Sequence, residues 1–135
     1  MAATFELEIA TPERLVIREQ VTEAQIPGAD GAMGILPDHA PLISELGIGE
    51  LSYVGGGQKH TIAVGNGVVE VLDNHVRVLA DRAEQANEID VARAQAALKR
   101  AEERVARGAS GEIDVARALN AMKRAQARLA VANAR

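Results

Sequence analysis

Residues 76–94 read VRVLADRAEQANEIDVARA, and the pattern of the chain changes within this stretch. It begins with Val76–Leu79, a short apolar run of the kind that forms strands. After Asp81 the sequence becomes rich in alanine, the best helix former, and contains no proline. The sequence therefore predicts a strand-built part before Asp81 and a helical part after it.

The residues before this change have the pattern of an all-β domain. Phe5, Leu7 and Ile9 alternate with polar residues, as in a half-buried strand. Further short apolar runs follow, separated by turn-forming clusters such as Gly65-Asn66-Gly67. All 4 prolines and most of the 12 glycines of the chain lie here. Many short strands with tight turns predict an antiparallel β-sandwich or flattened barrel.

The residues after the change predict two helices that repeat each other. The segment IDVARA occurs at residues 89–94 and again at 113–118, and Gly108 and Gly111 separate the two copies. Asn87 and Ser110 are the predicted N-caps. We therefore expect an α-helical hairpin of two antiparallel helices.

The predicted contact between these helices consists mostly of small residues. Matching positions in the two helices follow the 4, 3, 4 spacing of a coiled-coil seam: Ala94, Leu98, Ala101, Val105 and Ala118, Met122, Ala125, Leu129. A buried alanine methyl contributes about 0.8 kcal/mol, whereas a fully buried leucine contributes ~1.5–3 kcal/mol. Since ordering a residue costs ~1–2 kcal/mol, detaching such a hairpin requires little free energy.

The predicted domains are a β-sandwich over residues 1–82, a linker over 83–87 and a regulatory helical hairpin over 88–135. Residues 1–80 carry 4 Lys/Arg and 11 Asp/Glu, a net charge of −7, whereas residues 81–135 have a net charge of +3. The asymmetry indicates two modules that face different partners, or a chance partition of solvated surface charge.

Several classes of function have no support in the sequence. The chain has no cysteine for a disulfide or a thiolate site, and its 3 histidines are widely spaced. The pattern of its first residues predicts no signal peptide, and no apolar run reaches the roughly 20 residues that a membrane helix needs. Gly55-Gly56-Gly57 lacks the pattern of a phosphate-binding P-loop. No catalytic constellation is found, so we expect a protein that is not an enzyme.

Three segments resemble one protein family. Residues 31–42, GAMGILPDHAPL, resemble the Gly-x-x-Gly-Ile-Leu-Pro-x-His-x-Pro-Leu signature of the epsilon subunits of bacterial F-type (rotary) ATP synthases. Residues 76–84 resemble that family's exit from its last strand. Residues 89–94 are similar to its Ile/Leu-Asp-x-x-Arg-Ala motif. The segments occur in the family's order, and the resemblance covers the whole chain.

The resemblance implies a non-catalytic rotor subunit in the central stalk of a proton-translocating ATP synthase. Its sandwich would bind the gamma subunit and rest on the c-ring, at the cytoplasmic face of the bacterial plasma membrane, peripherally and without direct insertion. Its hairpin would fold onto the sandwich or extend along gamma into the alpha/beta catalytic head, where it inhibits ATP hydrolysis. In some members the folded hairpin binds ATP as a regulatory ligand, and no cofactor is implied.

The hairpin carries two arginine stripes beside the seam: Arg93, Ala97, Arg100, Arg104 and Arg117, Ala121, Arg124, Arg128. The spacing alone leaves two interpretations open: solvated helix faces, or guanidinium groups that converge on a phosphate.

The resemblance to the ATP-binding members implies a specific set of ligands. The matching positions are Glu84, Ile89, Asp90, Arg93, Ala94, Arg100, Arg124 and Arg128, each with the expected residue type. Glu84 and Asp90 would lie on the adenine and ribose side. Arg100, Arg124 and Arg128 would hold phosphates.

The resemblance also implies a partner interface, formed by Asp30, Gly31, Ala32, Met33, His39, Pro41 and Leu42. His39 would have a packing role against gamma. Family members often carry an acidic residue at the position of Ala32, in the turn that faces the c-ring. Asp30 is the neighbouring carboxylate in this chain.

Two other hypotheses remain open at this point. The same hairpin fits a free-standing cytosolic ATP sensor, which would not co-purify with gamma from membranes. A basic hairpin also fits a helical adaptor or nucleic-acid binder. The hairpin disfavours the latter, because it has no aromatic residue for stacking on bases and acidic residues interrupt its positive charge.

Overall fold

The computed structural model describes residues 3–108, 111 and 114–134. Strands occupy the first part of the chain and helices the second, as the sequence predicts. The strands are β1 (Phe5–Ala10), β2 (Leu15–Val21), β3 (Glu23–Gly28), β4 (Gly31–Ile35), β5 (Leu42–Leu46), β6 (Gly49–Gly55), β7 (Gln58–Leu72) and β8 (His75–Gln85). A 3₁₀ turn (Ala86–Glu88) leads to α1 (Val91–Ala106) and α2 (Val115–Asn133).

The eight strands form one continuous sheet that folds over on itself. Its order is β2-β1-β8-β7-β5-β3-β4, and β6 pairs with both β3 and β7. The pairing is antiparallel except between β1 and β8, which are parallel. The β-sandwich class is thus confirmed, but an entirely antiparallel sheet is wrong. Local strand signals do not determine which distant strand becomes a neighbour.

The core lies inside the folded sheet. Phe5, Leu7 and Ile9 are all buried in it, which confirms the alternation of β1. Every fully packed member of this core lies between Phe5 and Ala83. The apolar burial that stabilises the sandwich is therefore contained within the sandwich.

The segment Gly65-Asn66-Gly67, predicted as a turn, lies inside β7 instead. Pairing with β8 continues in one register on both sides of it, Gly65 opposite Arg82 and Gly67 opposite Ala80. Asn66 and Gly67 have positive φ angles of 52° and 143°. The strand therefore bends sharply without ending, and pairs with β6 before the bend and with β5 after it.

Residues 83–85, predicted as linker, are also part of the sheet. Ala83, Glu84 and Gln85 extend β8 and pair with the first half of β7. The long ladder between the two strands keeps the chain in the sheet beyond the compositional change near Asp81. The division into two folding units remains a prediction.

Each helix begins at an aspartate. The Asp90 carboxylate accepts a hydrogen bond of 3.0 Å from the backbone N–H of Arg93, and Asp114 accepts one of 3.1 Å from that of Arg117. Asn87 lies in the 3₁₀ turn, so its predicted capping role is wrong. The predicted cap Ser110 lies outside the described residues.

The two helices pack along the predicted seam. Ala94 and Ala101 of α1 and Ala118 and Ala125 of α2 are buried. The larger residues of the seam are half-buried: Leu98, Val105, Met122 and Leu129. The contact between the helices thus consists mainly of alanine, as expected.

The hairpin rests on the sandwich through α2. Ala127 and Val131 of α2 are buried against Ala63 of β7, and Ala86 and Ile89 pack around them. Val131 is the only large side chain fully buried among these residues. Because the apolar contact is small, it holds the hairpin on the sandwich only weakly.

Candidate functional site

Two neighbouring clefts lie where the hairpin meets the sandwich. The first has a volume of about 260 Å³ and is lined by Arg82, Glu84, Glu88, Asp90, Arg93, Ala94 and Arg128. The second is lined by Ala63, Val64, Gly65, Arg82, Glu84, Arg124, Ala127 and Arg128. Three side chains, Arg82, Glu84 and Arg128, line both clefts, so the two form one continuous charged site.

Local structure explains how these side chains meet. Arg82 and Glu84 are two residues apart on β8 and therefore lie on the same face of the strand, beyond the bend. Arg124 and Arg128 are four residues apart on α2 and lie on the same face of that helix. The docking of α2 brings the two faces together.

The acidic groups of the site already have partners. The Arg128 Nε donates to Glu84 Oε1 at 2.6 Å, in an ion pair whose side chains are each 28% exposed. Glu88 pairs with Arg14 of the sandwich. Hydrogen bonds from Arg14 and from the Gln85 backbone N–H lower the pKa of the Glu88 carboxyl.

The arginines of the site outnumber these carboxylates. Burial lowers the pKa of Arg124, and the positive charges of Arg82, Arg128 and Arg117 lower it further. Within the part of the chain that the structure describes, neither Arg82 nor Arg124 has a carboxylate within ion-pair distance. Guanidinium groups crowded in this way favour a bound anion, and a phosphate matches their geometry.

Most of the predicted nucleotide ligands lie at this site. Glu84, Asp90, Arg93, Ala94 and Arg128 line the first cleft, and Arg124 lines the second. Ile89 packs in the apolar contact beside Val131. Arg100 is exposed on α1 and lines neither cleft, so its contact with a ligand remains a prediction.

Arg82 and Glu88 are the charged lining residues that the sequence did not indicate. Arg82 stands next to the compositional change near Asp81, where it looks like an ordinary exposed strand residue. Its spacing from Glu84 is the one signal that places the two on the same face.

The predicted partner residues form two separate groups. Asp30, Gly31 and Ala32 lie at the tip between β3 and β4, beside the Leu46 end of β5. His39, Pro41 and Leu42 lie at or just before the other end of β5, roughly 13 Å away at ~3.3 Å per residue. Met33 packs against the core from β4.

The loop that contains His39 is fastened to the turn between β7 and β8. The backbone N–H of Asp38 donates to Asn74 Oδ1 at 2.6 Å, and Asn74 Nδ2 donates to Asp38 Oδ1 at 2.9 Å. Asp38 and Asn74 both have positive φ angles. The paired bonds give this end of the sandwich a defined surface.

An apolar stripe crosses the outer face of the sheet. Leu15, Ala10, Leu79 and Val68 pair in sequence across β2, β1, β8 and β7. Leu15 and Leu79 are 52% and 50% exposed. We call these four residues the outer stripe; the sequence did not reveal it, because it arises only from the pairing of distant strands.

The next row of the same face is charged. Arg18 donates to Glu6 at 2.7 Å, and Arg77 donates to Glu8 at 2.9 Å. His75 lies close to both carboxylates, so Glu6, Glu8 and His75 have the spacing of a metal site. Because both carboxylates are engaged by arginines, we interpret the cluster as an ion-pair network that borders the outer stripe.

No helix in the described part of the chain has both the length and the apolar composition needed to cross a membrane.

Comparison with known proteins identifies the family. Residues 4–86 match the beta-sandwich domain of the ATP synthase Delta/Epsilon chain, and residues 87–133 match its long alpha-helix domain. The ATP synthase epsilon chain of Solibacter usitatus is 57% identical over 111 residues, which cover 82% of this chain and 83% of the relative. That of Koribacter versatilis is 54% identical over 105 residues, covering 78% and 74%.

The fold is also found in a solved structure. A chain of the Euglena gracilis mitochondrial ATP synthase, solved as its OSCP, F1 and c-ring portion in rotational state 1, superimposes with a TM-score of 0.78. The match covers 92% of this chain and 78% of that one, at 22% sequence identity. With both domains matched in order and two relatives above 50% identity, the chain belongs to the epsilon-chain family of F-type ATP synthases.

Proposed function

We propose that this chain is the regulatory epsilon subunit in the rotor of a bacterial, proton-translocating ATP synthase, at the cytoplasmic face of the plasma membrane. It couples the catalytic head to the c-ring and performs no catalysis itself. One observation supports the regulatory role: the hairpin is weakly docked, and a cluster of arginines lies at its contact with the sandwich.

The outer stripe is the proposed binding surface for the gamma subunit. It is a row of apolar side chains on a folded sheet, bordered by ion pairs, which matches the apolar centre and polar rim of protein interfaces. The loop around His39 lies at the far end of the same strands, beyond the charged row, and is proposed as a second contact with gamma. The tip formed by Asp30, Gly31 and Ala32 is the proposed contact with the c-ring.

We expect Leu79→Glu to weaken binding to gamma by roughly tenfold to 150-fold, because burying a leucine contributes ~1.5–3 kcal/mol. Leu79 is half exposed, so the sandwich should still fold. Co-purification of the chain with gamma measures the effect. Val91→Glu, at an exposed apolar residue of α1, is the matched control and should bind gamma normally.

Equal recovery of gamma with both variants would remove the outer stripe as the gamma surface. Failure of the wild-type chain to co-purify with gamma would instead favour a free-standing ATP sensor. A free sensor gives no reason for an exposed apolar stripe on the sandwich.

The hairpin is proposed to regulate by leaving the sandwich. Its contact with the sheet is small, its seam is alanine-rich, and it is positively charged overall. When released, it would extend along gamma into the alpha/beta head and block ATP hydrolysis. When docked, it would leave the head free.

Deleting residues 89–135 should raise ATP hydrolysis by the assembled enzyme and leave ATP synthesis largely intact. A rise of roughly two- to tenfold corresponds to a hairpin extended in half to nine tenths of the complexes. The deletion keeps β8 and the Arg14–Glu88 ion pair, and the core ends at Ala83, so the sandwich should fold alone. Hydrolysis by the complex at low salt is the measurement, because salt screens electrostatic docking over ~8–10 Å.

A crosslink provides the control for this deletion. Ala63→Cys and Ala127→Cys place thiols in one buried cluster of a chain that has no cysteine. A crosslink between them should hold the hairpin docked and raise hydrolysis as the deletion does, and its reduction should restore inhibition. If neither the deletion nor the crosslink changes the rate of ATP hydrolysis, the hairpin is not inhibitory.

The charged clefts are the proposed ATP site. Glu84 and Asp90, which line the first cleft, would contact the adenine and ribose. Arg124 and Arg128 would hold phosphates, and Arg93 lines the first cleft together with Arg128. Because the site is formed by both the sandwich and the hairpin, bound ATP stabilises the docked hairpin, by about 2.7 kcal/mol at 100 times the dissociation constant.

A further inference from the structure

Arg82 differs from the other arginines of the site in the domain that carries it. Arg93, Arg124 and Arg128 all belong to the hairpin, whereas Arg82 belongs to β8 of the sandwich, where it pairs with Gly65 of β7. It lines both clefts. Arg82 is therefore the positive charge that the sandwich contributes to the site.

The position of Arg82 creates a repulsion across the contact between the domains. Of the positive charges that lower the pKa of Arg124, Arg82 has the largest effect. Glu84 does not offset it, because the positive charge of Arg128, its ion-pair partner, balances the charge of its carboxylate. Docking the hairpin thus brings two guanidinium groups into one cleft, where neither has a carboxylate within ion-pair distance among the described residues.

A bound phosphate group would replace the repulsion between Arg82 and Arg124 with attraction of both to the same anion. An anion that lies between Arg82 and Arg124 accepts hydrogen bonds from both, so that each domain binds the same ligand. Such a ligand makes both contacts only while the hairpin is docked. Binding and docking are then linked, since a ligand shifts a conformational equilibrium by its differential affinity for the two states.

We propose that Arg82 is a phosphate-binding residue of the nucleotide site, and that its repulsion of Arg124 makes docking of the hairpin depend on a bound polyphosphate. This proposal rests on the ATP-binding function proposed above and deepens it. Without a ligand the repulsion favours release of the hairpin. With a ligand the same two arginines hold the domains together.

Arg82→Ala should therefore have two effects of opposite sign. The affinity for ATP should fall roughly 10- to 150-fold, the effect of losing a hydrogen bond to a charged group, and the affinity for inorganic tripolyphosphate should fall by a similar factor. In the ligand-free protein, however, the hairpin should dock more firmly. Calorimetry measures the affinities, and hydrogen exchange of the amides near Val131 measures docking.

Two further variants make the test specific. Arg104→Ala removes the same charge from the last turn of α1, away from both clefts, and should change neither affinity nor docking. Arg82→Lys keeps the charge and should restore the repulsion fully but the affinity only in part, because an ammonium lacks the guanidinium fork.

The outcomes separate this inference from the function on which it rests. If the wild type binds ATP and Arg82→Ala binds it equally well, Arg82 is not a ligand. The proposed ATP-binding function is then kept and the role of Arg82 is rejected. A second outcome is that the wild type binds tripolyphosphate but not ATP, with that binding lost in Arg82→Ala. This result would reject the proposed ATP-binding function and support the phosphate-binding role of Arg82. If Arg82→Ala weakens docking and binding together, Arg82 is a stabilising contact and the proposed repulsion is overturned.

Discussion

Gly67→Ala is expected to destabilise the sandwich by about 3 kcal/mol or more. A Cβ at this position would lie 1.9 Å from the backbone oxygen of Leu79, and φ is +143°. Such a φ costs an L residue ~1–3 kcal/mol, and overpacking adds ~1–3 kcal/mol. The atom in the way belongs to the backbone of β8, so the clash cannot be relieved by rotating a side chain.

Urea unfolding of the full chain measures this effect, with the fluorescence of Tyr53 as a probe inside the sandwich. Gly65→Ala is the matched control, two residues away in the same strand. A Cβ there meets only the Ile48 side chain at 3.7 Å, so its effect should stay within about 1 kcal/mol. Equal destabilisation by the two substitutions would contradict the proposed role of the bend.

Arg124→Ala is expected to weaken ATP binding roughly 10- to 150-fold, because a hydrogen bond to a charged group contributes ~1.5–3 kcal/mol. Arg124 lies on α2 in the second cleft, half-buried and crowded by other arginines. Burial increases the contribution of the bond, since water screens it less. Calorimetric titration with ATP is the measurement.

Lys123→Ala is the control for this substitution. Lys123 is the residue before Arg124 on α2, carries the same charge and lines a different cleft, between the helix and the tip of the sandwich. Its loss should leave the affinity nearly unchanged. If both variants bind ATP as the wild type does, the arginine cluster does not bind the phosphates.

Local patterns in the sequence predicted the fold class well. Alternation in β1 and the alanine-rich repeat both correspond to structure. The errors in the sheet arose where the pairing of distant strands determines the structure. Asn66-Gly67 has the composition of a hairpin turn, yet β8 continues the ladder past it and converts the turn into a bend.

The site was predictable only in part for the same reason. The proposed hairpin ligands Asp90, Arg93 and Ala94 lie in one contiguous motif, and the family resemblance indicated them. Arg82 lies outside that motif, and its role depends on the docking of α2 against β8. The outer stripe likewise combines residues from four strands, and no single strand signals it.

The local contacts of the hairpin also bear on how quickly it responds. The alanine seam joins helices that are adjacent in the chain, and structures dominated by such contacts form in roughly microseconds to milliseconds. Enzymes typically turn over at about 1–10³ per second. The hairpin should therefore re-form within a single turnover or faster. Under the proposed regulation, its position would then depend on the current ATP concentration and not on an earlier one.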